Sequence, residues 1–166
     1  MRIGIGYDSH RFAPGRRLVL GGVEVPHALG LAGHSDADAV AHAVTDAVLG
    51  AVALGDIGAH FPPSDERWRD ADSLELLRQA VALAQAAGYA IGNVDVTVVC
   101  EAPRLGPHVP AMRERLAAAL GIGAGAVSVK AKSNEGMGWF GQGEGLAAIA
   151  VALVQPLGGE ARQAEG

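Results

Sequence analysis

A helix is written into residues 35–54, and the rest of the chain has to be arranged around it. Val40, Val44, Ala47, Val48, Ala51 and Val52 recur at helical spacing and make one apolar stripe. Ser35 followed by Asp38 three residues on reads as a capping box, and Gly55 as the stop near Leu54. At about 100° per residue, His42 sits opposite the stripe, with Asp38 and Asp46 one turn to either side. Such a histidine faces solvent, a site or another subunit, and not the core of its own helix.

The flanking segments supply a sheet. Residues 2–7 alternate as a strand with Ile3, Ile5 and Tyr7 on one face, and Asp8 and His10 share a face if the extended run continues. Leu18-Val19-Leu20 and Val23-Glu24-Val25 around Gly21-Gly22 read as a hairpin. Asp72 with Glu75 starts a second helix that ends at Gly88, and a third runs from Pro110 to Leu120. Val94–Val99, Val127–Ala131 and the apolar run Leu146–Val154 read as strands. The order predicts an α/β (α+β) fold, a small mixed sheet with helices on one face, in one domain over 1–156 with a frayed tail over 157–166.

Composition narrows the function. A net charge of −5 with no basic block argues against a nucleic-acid surface. No apolar run matches a membrane helix, and no signal-peptide pattern opens the chain. The lone Cys100 excludes an intrachain disulfide and suits a reducing, cytoplasmic setting; buried and inert is its expected state.

Chemistry concentrates in a few places. Asp8, His10 and His42 offer one carboxylate and two imidazoles, the ligand count of a catalytic zinc site with an open fourth position. His34-Ser35 at a helix start is either an anion site or simply a cap, and spacing alone favours the cap. Gly55-Asp56-Ile57-Gly58 is a turn with a solvated acid or part of a site. Lys132-Ser133-Asn134-Glu135, leading into a glycine-rich loop, has the look of a phosphate cradle without the spacing of a P-loop. Arg104 alone reads as a surface charge, and Trp139-Phe140 as core or interface. The sum is a metal-assisted site for a phosphorylated small molecule.

Taken together, GYDSHRF at 6–12, GHSDADAVAHAVTDA at 33–47, GDIGAHFPPSD at 55–65, Ala102-Pro103-Arg104 and KAKSNEGMGWFGQGEG at 130–145 resemble one family in order and spacing. It is the 2-C-methyl-D-erythritol 2,4-cyclodiphosphate synthase family of the non-mevalonate isoprenoid pathway. The resemblance implies a homotrimer with active sites shared between subunits, turning 4-diphosphocytidyl-2-C-methyl-D-erythritol 2-phosphate into the cyclic diphosphate and CMP. It implies zinc on Asp8, His10 and His42, and magnesium or manganese on Glu135. His34 and Ser133 would stabilise transition-state charge. Asp8, Ser9, His10, His34 and Ser35 would meet the substrate near the zinc, and Asp56, Ile57, Gly58, Phe61, Pro62, Pro63, Ser64 and Asp65 would grip the methylerythritol phosphate. Cys100, Ala102, Pro103, Arg104, Leu105 and Gly106, with Ala131, Lys132, Ser133, Asn134 and Glu135, would hold the cytidine diphosphate portion, and Trp139 and Gln142 complete the set. Lys132 stands where relatives often carry Thr, Gln142 where many carry Arg, and Pro63 where an acid is common. The competing expectations are another zinc-dependent activity on nucleotide diphosphates and a non-catalytic trimeric metal- and nucleotide-binding module.

Overall fold

The computed structural model describes residues 1–158; the tail expected over 157–166 therefore lies almost wholly outside the described residues. Five strands form one mixed sheet in the order β4 (Gly30–Leu31), β1 (Arg2–Ala13), β7 (Gly145–Pro156), β5 (Tyr89–Val99) and β6 (Val127–Lys132). All neighbours are antiparallel except β5 and β6. That parallel pair needs a long crossover, which α4 (Val109–Leu120) provides. The expected hairpin is present as β2 (Leu18–Leu20) and β3 (Val23–Val25), with Gly21 and Gly22 at φ of 57° and 72° in the turn. The apolar run near the C-terminus is β7, as its β-branched residues foretold.

Helices α1 (Ala39–Ala51), α3 (Ser73–Ala86) and α4 cover one face of the sheet. Gly4, Gly6, Val94, Val96, Val98, Val127, Val129, Ala148, Ala150 and Ala152 point towards them and are buried. Leu77, Met112, Leu116 and Leu120 fill the helix side without exposed surface to spare; burying each such side chain contributes about 2 kcal/mol. Among the described residues no helix covers the opposite face. Ile3 and Ile5 are each 70% exposed there, with Tyr7, Ile149 and Val151 beside them. Val151 lies opposite Ile5, and Ile149 opposite Tyr7, so the five side chains form one continuous patch.

Two expectations about α1 are corrected. Its cap is Asp38 and not Ser35: the Asp38 carboxylate accepts from the backbone N–H groups of Val40 and Ala41, while also accepting from Gly21 at 2.8 Å and Gly22 at 2.6 Å. One fully buried acid thus starts the helix and anchors the hairpin turn. Burial pushes its carboxyl up to about 6, with the Ala41, Gly22 and Gly21 N–H groups pulling the other way and Asp36 adding to the rise. The helix also ends at Ala51, three residues before Leu54. Ala53 takes the left-handed conformation at φ 59°, Leu54 N–H bonds Leu49 O, and Ala53 N–H bonds Gly50 O, a Schellman arrangement built without glycine.

Nor is α1 merely striped. Thr45 and eight alanines, valines and leucines, on the expected stripe or off it, are fully buried, because α1 is sandwiched between the sheet and α3. Contact with the sheet is intimate: a Cβ on Gly6 would fall 1.9 Å from the Ala43 carbonyl oxygen, and one on Gly4 2.0 Å from that of Ala47. Gly6→Ala must lift the helix off β1 and should cost about 3 kcal/mol or more in urea denaturation. Gly125→Ala, where a Cβ meets nothing within 4 Å, should leave stability unchanged or raise it by about 0.5 kcal/mol.

Candidate functional site

Even-numbered residues of β1 face α1. Gly4 lies under Ala47 and Ala51, and Gly6 under Ala43 and Ala47. Two strand residues span about 6.6 Å and one helical turn about 5.4 Å, so each step of two along β1 moves about one turn back along α1. The next even position, Asp8, accordingly arrives at His42, and His10 follows beside it. Glycine where the helix touches the strand, and ligand-type residues where its first turn opens, is the local reason the cluster forms.

His42 Nδ1 lies 3.0 Å from Asp8 Oδ2, and His10 Nε2 lies 2.8 Å from the same oxygen. The two imidazole nitrogens are 3.4 Å apart. One ligand atom from each residue falls within 4.8 Å of the others, a spacing that a single ion can serve. His10 Nδ1 is 2.6 Å from the Ala32 carbonyl oxygen, which can only accept, so that nitrogen carries a proton and Nε2 is the nitrogen left to face Asp8 and a metal. Burial pushes the Asp8 carboxyl up, but the hydrogen bonds and charge of His10 and His42 outweigh it and hold the group well below the usual carboxylate range. Burial likewise lowers the proton affinity of His10, yet its hydrogen bond and proximity to Asp8, helped by Ala32, leave it raised. A carboxylate oxygen and two imidazole nitrogens, partly buried and open on one side, suit a divalent metal such as zinc.

Beside the cluster is a cavity of about 180 Å³, walled by His10, His34, Ser35, His42, Ile57, Gly58, Phe61 and Pro63 together with Trp68 and Leu76. His34 lines it, and its Nε2 is buried without a hydrogen-bond partner among the described residues. Asp56 caps the short α2 (Ile57–His60) by accepting from Ala59 N–H. Asp46 accepts from Ile57 N–H at 2.7 Å and so ties that turn to α1. Asp65 is engaged by Arg67.

A second cavity, about 570 Å³, lies where the loop after β5 meets the end of β6. Cys100, Pro103, Arg104, Leu105, Gly106, Ala131, Lys132 and Ser133 line it. Cys100 is buried, its thiol pushed up to about 11 by burial, as expected of an inert cysteine. Ser133 Oγ donates to Glu135 Oε1 at 2.8 Å, joining the two expected functional residues. The two cavities share no lining residue, and Ser9, Asp56, Pro62, Ser64, Asp65, Ala102, Asn134, Glu135, Trp139 and Gln142 line neither. Trp139 is 40% exposed on α5 (Gly138–Gly141), stacked on Phe140, so the core half of its expected role is not met.

A sequence profile of the YgbB family matches residues 1–155. The chain belongs to the YgbB family. It is 60% identical over 121 residues, 73% of its length and 74% of the relative's, to the 2-C-methyl-D-erythritol 2,4-cyclodiphosphate synthase of Gloeobacter violaceus. To the protein of that name from Salinibacter ruber it is 63% identical over 120 residues, 72% of this chain and 76% of the other. A solved structure of a 2C-methyl-D-erythritol-2,4-cyclodiphosphate synthase in its CDP-bound form matches with a TM-score of 0.85 at 38% identity, covering 93% of this chain and all of that one (100%). The bifunctional IspDF of Campylobacter jejuni matches at 0.91 and 36% identity over 94% of this chain, which spans only 42% of that longer protein.

Within the YgbB fold, several contributors were not foreseen. Glu101 sits inside a loop whose neighbours were singled out, yet its Oε1 accepts from the N–H groups of Asn134 at 2.7 Å and Gly136 at 3.3 Å and so braces the Ser133–Glu135 segment. Asp36 and Ser73 stand behind His42 and are 37 residues apart in sequence, beyond any local pattern. Asp46 is legible in the sequence one turn from His42, but its bond to the Ile57 N–H is not. No helix among the described residues is long and apolar enough to cross a membrane.

His42→Ala should abolish tight binding of a divalent metal, read by metal analysis after gel filtration, while the far-UV circular dichroism is unchanged. Because protons and metal compete for the same lone pairs and His10 holds its proton above the ordinary imidazole value of about 6.5, wild-type metal affinity should begin to fall at a pH above that value as the solution is acidified.

Proposed function

We propose that the chain converts 4-diphosphocytidyl-2-C-methyl-D-erythritol 2-phosphate to 2-C-methyl-D-erythritol 2,4-cyclodiphosphate with release of CMP, as a phosphorus–oxygen lyase of isoprenoid precursor synthesis. The observation that carries this reading is the convergence of Asp8, His10 and His42 beside the His34 cavity, in a chain 60% identical to proteins of that name.

In this reaction an oxygen of the substrate's own 2-phosphate attacks the β-phosphorus. The bond from that phosphorus to the oxygen bridging to the α-phosphate breaks, and CMP leaves with that oxygen. No protein nucleophile is required, and the Ser73–His42–Asp8 array supplies none, because the Ser73 hydroxyl is fully buried and donates to Asp36. The protein's task is to align two mutually repelling phosphates in line and to offset their charge.

Asp8, His10 and His42 would hold zinc, and Glu135 magnesium or manganese. When bound, such ions neutralise phosphate charge and polarise the attacked phosphorus. His34, which lines the cavity and whose Nε2 has no partner among the described residues, would donate to a phosphoryl oxygen. Ser133 would do the same from the second cavity. Asp56, Ile57, Gly58, Phe61 and the loop to Asp65 would grip the methylerythritol phosphate. Cys100–Gly106 with Ala131 and Lys132 would hold the cytidine diphosphate portion.

A homotrimer is part of the proposal. Two separate cavities, each lined by eight of the expected residues, and an apolar sheet face centred on Ile5 both support sites completed by a neighbouring copy. A cytoplasmic setting is consistent with the single buried thiol.

The deciding experiment is phosphorus NMR of the protein with the cytidylylated 2-phosphate and Mg²⁺, with and without a zinc chelator. Cyclic diphosphate and CMP should appear together, stop on chelation and return with zinc. CMP without a cyclic product would point to hydrolysis, and no turnover with metal restored would point to a binding module. Ile5→Asp should convert a trimer to smaller species in analytical ultracentrifugation; an unchanged trimer would overturn the assignment of that face.

A further inference from the structure

The ring of His42 reaches the metal cluster with Nδ1, and its other nitrogen faces inward. His42 Nε2 lies 2.9 Å from Ser73 Oγ and 3.1 Å from Ser35 Oγ. Behind Ser73 stands Asp36. Its Oδ2 accepts from Ser73 N–H at 3.1 Å, and its Oδ1 accepts from Asp38 N–H at 3.1 Å and from the Ser73 hydroxyl. Both Asp36 oxygens are therefore occupied as acceptors.

A serine hydroxyl has one proton to give. If that proton goes to Asp36, Ser73 Oγ can only accept from His42, and the imidazole must carry its proton on Nε2. A neutral imidazole protonated on Nε2 presents a bare lone pair at Nδ1. Ser35 Oγ already accepts from Ala37 N–H at 3.2 Å and gives the same Nε2–H a second, longer acceptor. His10 likewise carries a proton on the nitrogen that faces the Ala32 carbonyl, so on each ring the nitrogen facing the Asp8 carboxylate is the one that would exchange its proton for a metal.

We propose that Ser73, oriented by Asp36, is a positioning residue that fixes His42 in the Nε2–H tautomer and holds its ring aimed at the metal site. Ser73 is fully buried at the first turn of α3, and Asp36 N–H bonds Ala71 O, so the relay also docks α3 against the start of α1. The ligand is thus aligned by an element remote in sequence. This inference rests on the metal reading above, and it deepens it by naming what makes His42 a ligand.

Its test begins without metal. Two-bond nitrogen–proton correlation NMR of the chelator-treated full chain, recorded about two pH units above the ordinary imidazole pKa, reports the tautomer of His42 directly. Nε2 is expected to be protonated, whether or not the Asp8 carboxylate 3.0 Å from Nδ1 keeps a proton there as well; a ring protonated on Nδ1 alone overturns the proposal. Ser73→Ala should then give a mixture of tautomers and weaken zinc binding by about 10–100-fold in competition with a chromophoric chelator, whereas Ser73→Thr, which keeps the hydroxyl, should restore most of that affinity. Unchanged zinc affinity in a folded Ser73→Ala chain would overturn it. If Ser73→Ala does not fold, the wild-type tautomer decides alone. A wild-type chain with the Nε2–H tautomer that binds no zinc would sink the metal reading and leave the tautomer assignment standing.

Discussion

The structure depends on the approach of α1 to β1. Gly4 and Gly6 remove the two side chains that would keep a helix at ordinary distance from a strand, and the carbonyls of Ala43 and Ala47 occupy their place. Close contact fixes the axial position of the helix along the strand to a fraction of a turn, because carbonyl oxygens seated in glycine gaps cannot slide. Everything functional on the first helix inherits that register. His42 meets Asp8 and His10 because Ala43 already sits on Gly6.

Buried polar groups then lock the helix start from the other side. Asp38 ties the hairpin turn to the first helical N–H groups, and Asp36 with Ser73 ties it to α3. Asp38, fully buried, is surrounded by donors, so removing one partner leaves an uncompensated buried group, a costlier loss than the bond itself. The metal cluster is therefore supported from three directions: strand below, hairpin and α3 around, and an open cavity on the remaining side.

Much of this could be read in the sequence. Helical and alternating patterns located the three long helices and every strand of more than three residues, and the D-x-H pair was rightly joined to His42. What misled was local chemistry with two solutions. Ser35-x-x-Asp38 satisfies a capping-box pattern, but Asp38, one step from the first helical residue, is the better-placed acceptor and takes the role. Gly55 looked like the stop, while Ala53 accepted left-handed strain to end the helix earlier. Still less accessible were partners set by tertiary contact. Nothing near Ser73 in sequence announces that it faces an imidazole, and Glu101 earns its place only because β5 and β6 run side by side so that Cys100 N–H bonds Lys132 O. Nor could one chain's sequence tell that its two expected subsites would line separate cavities.

Strand β1 uses both of its faces, glycine, aspartate and histidine towards the helix and Ile3, Ile5 and Tyr7 outward. Alternation makes these roles inseparable under insertion or deletion. Adding one residue to the strand would send the ligands outward and the isoleucines into helix backbone in a single step. Adding two would preserve the faces but carry Asp8 past His42 by about one turn, repairable only by a matching turn in α1. Point substitutions can therefore explore this region one site at a time, while changes of length here can be accepted only in coordinated pairs.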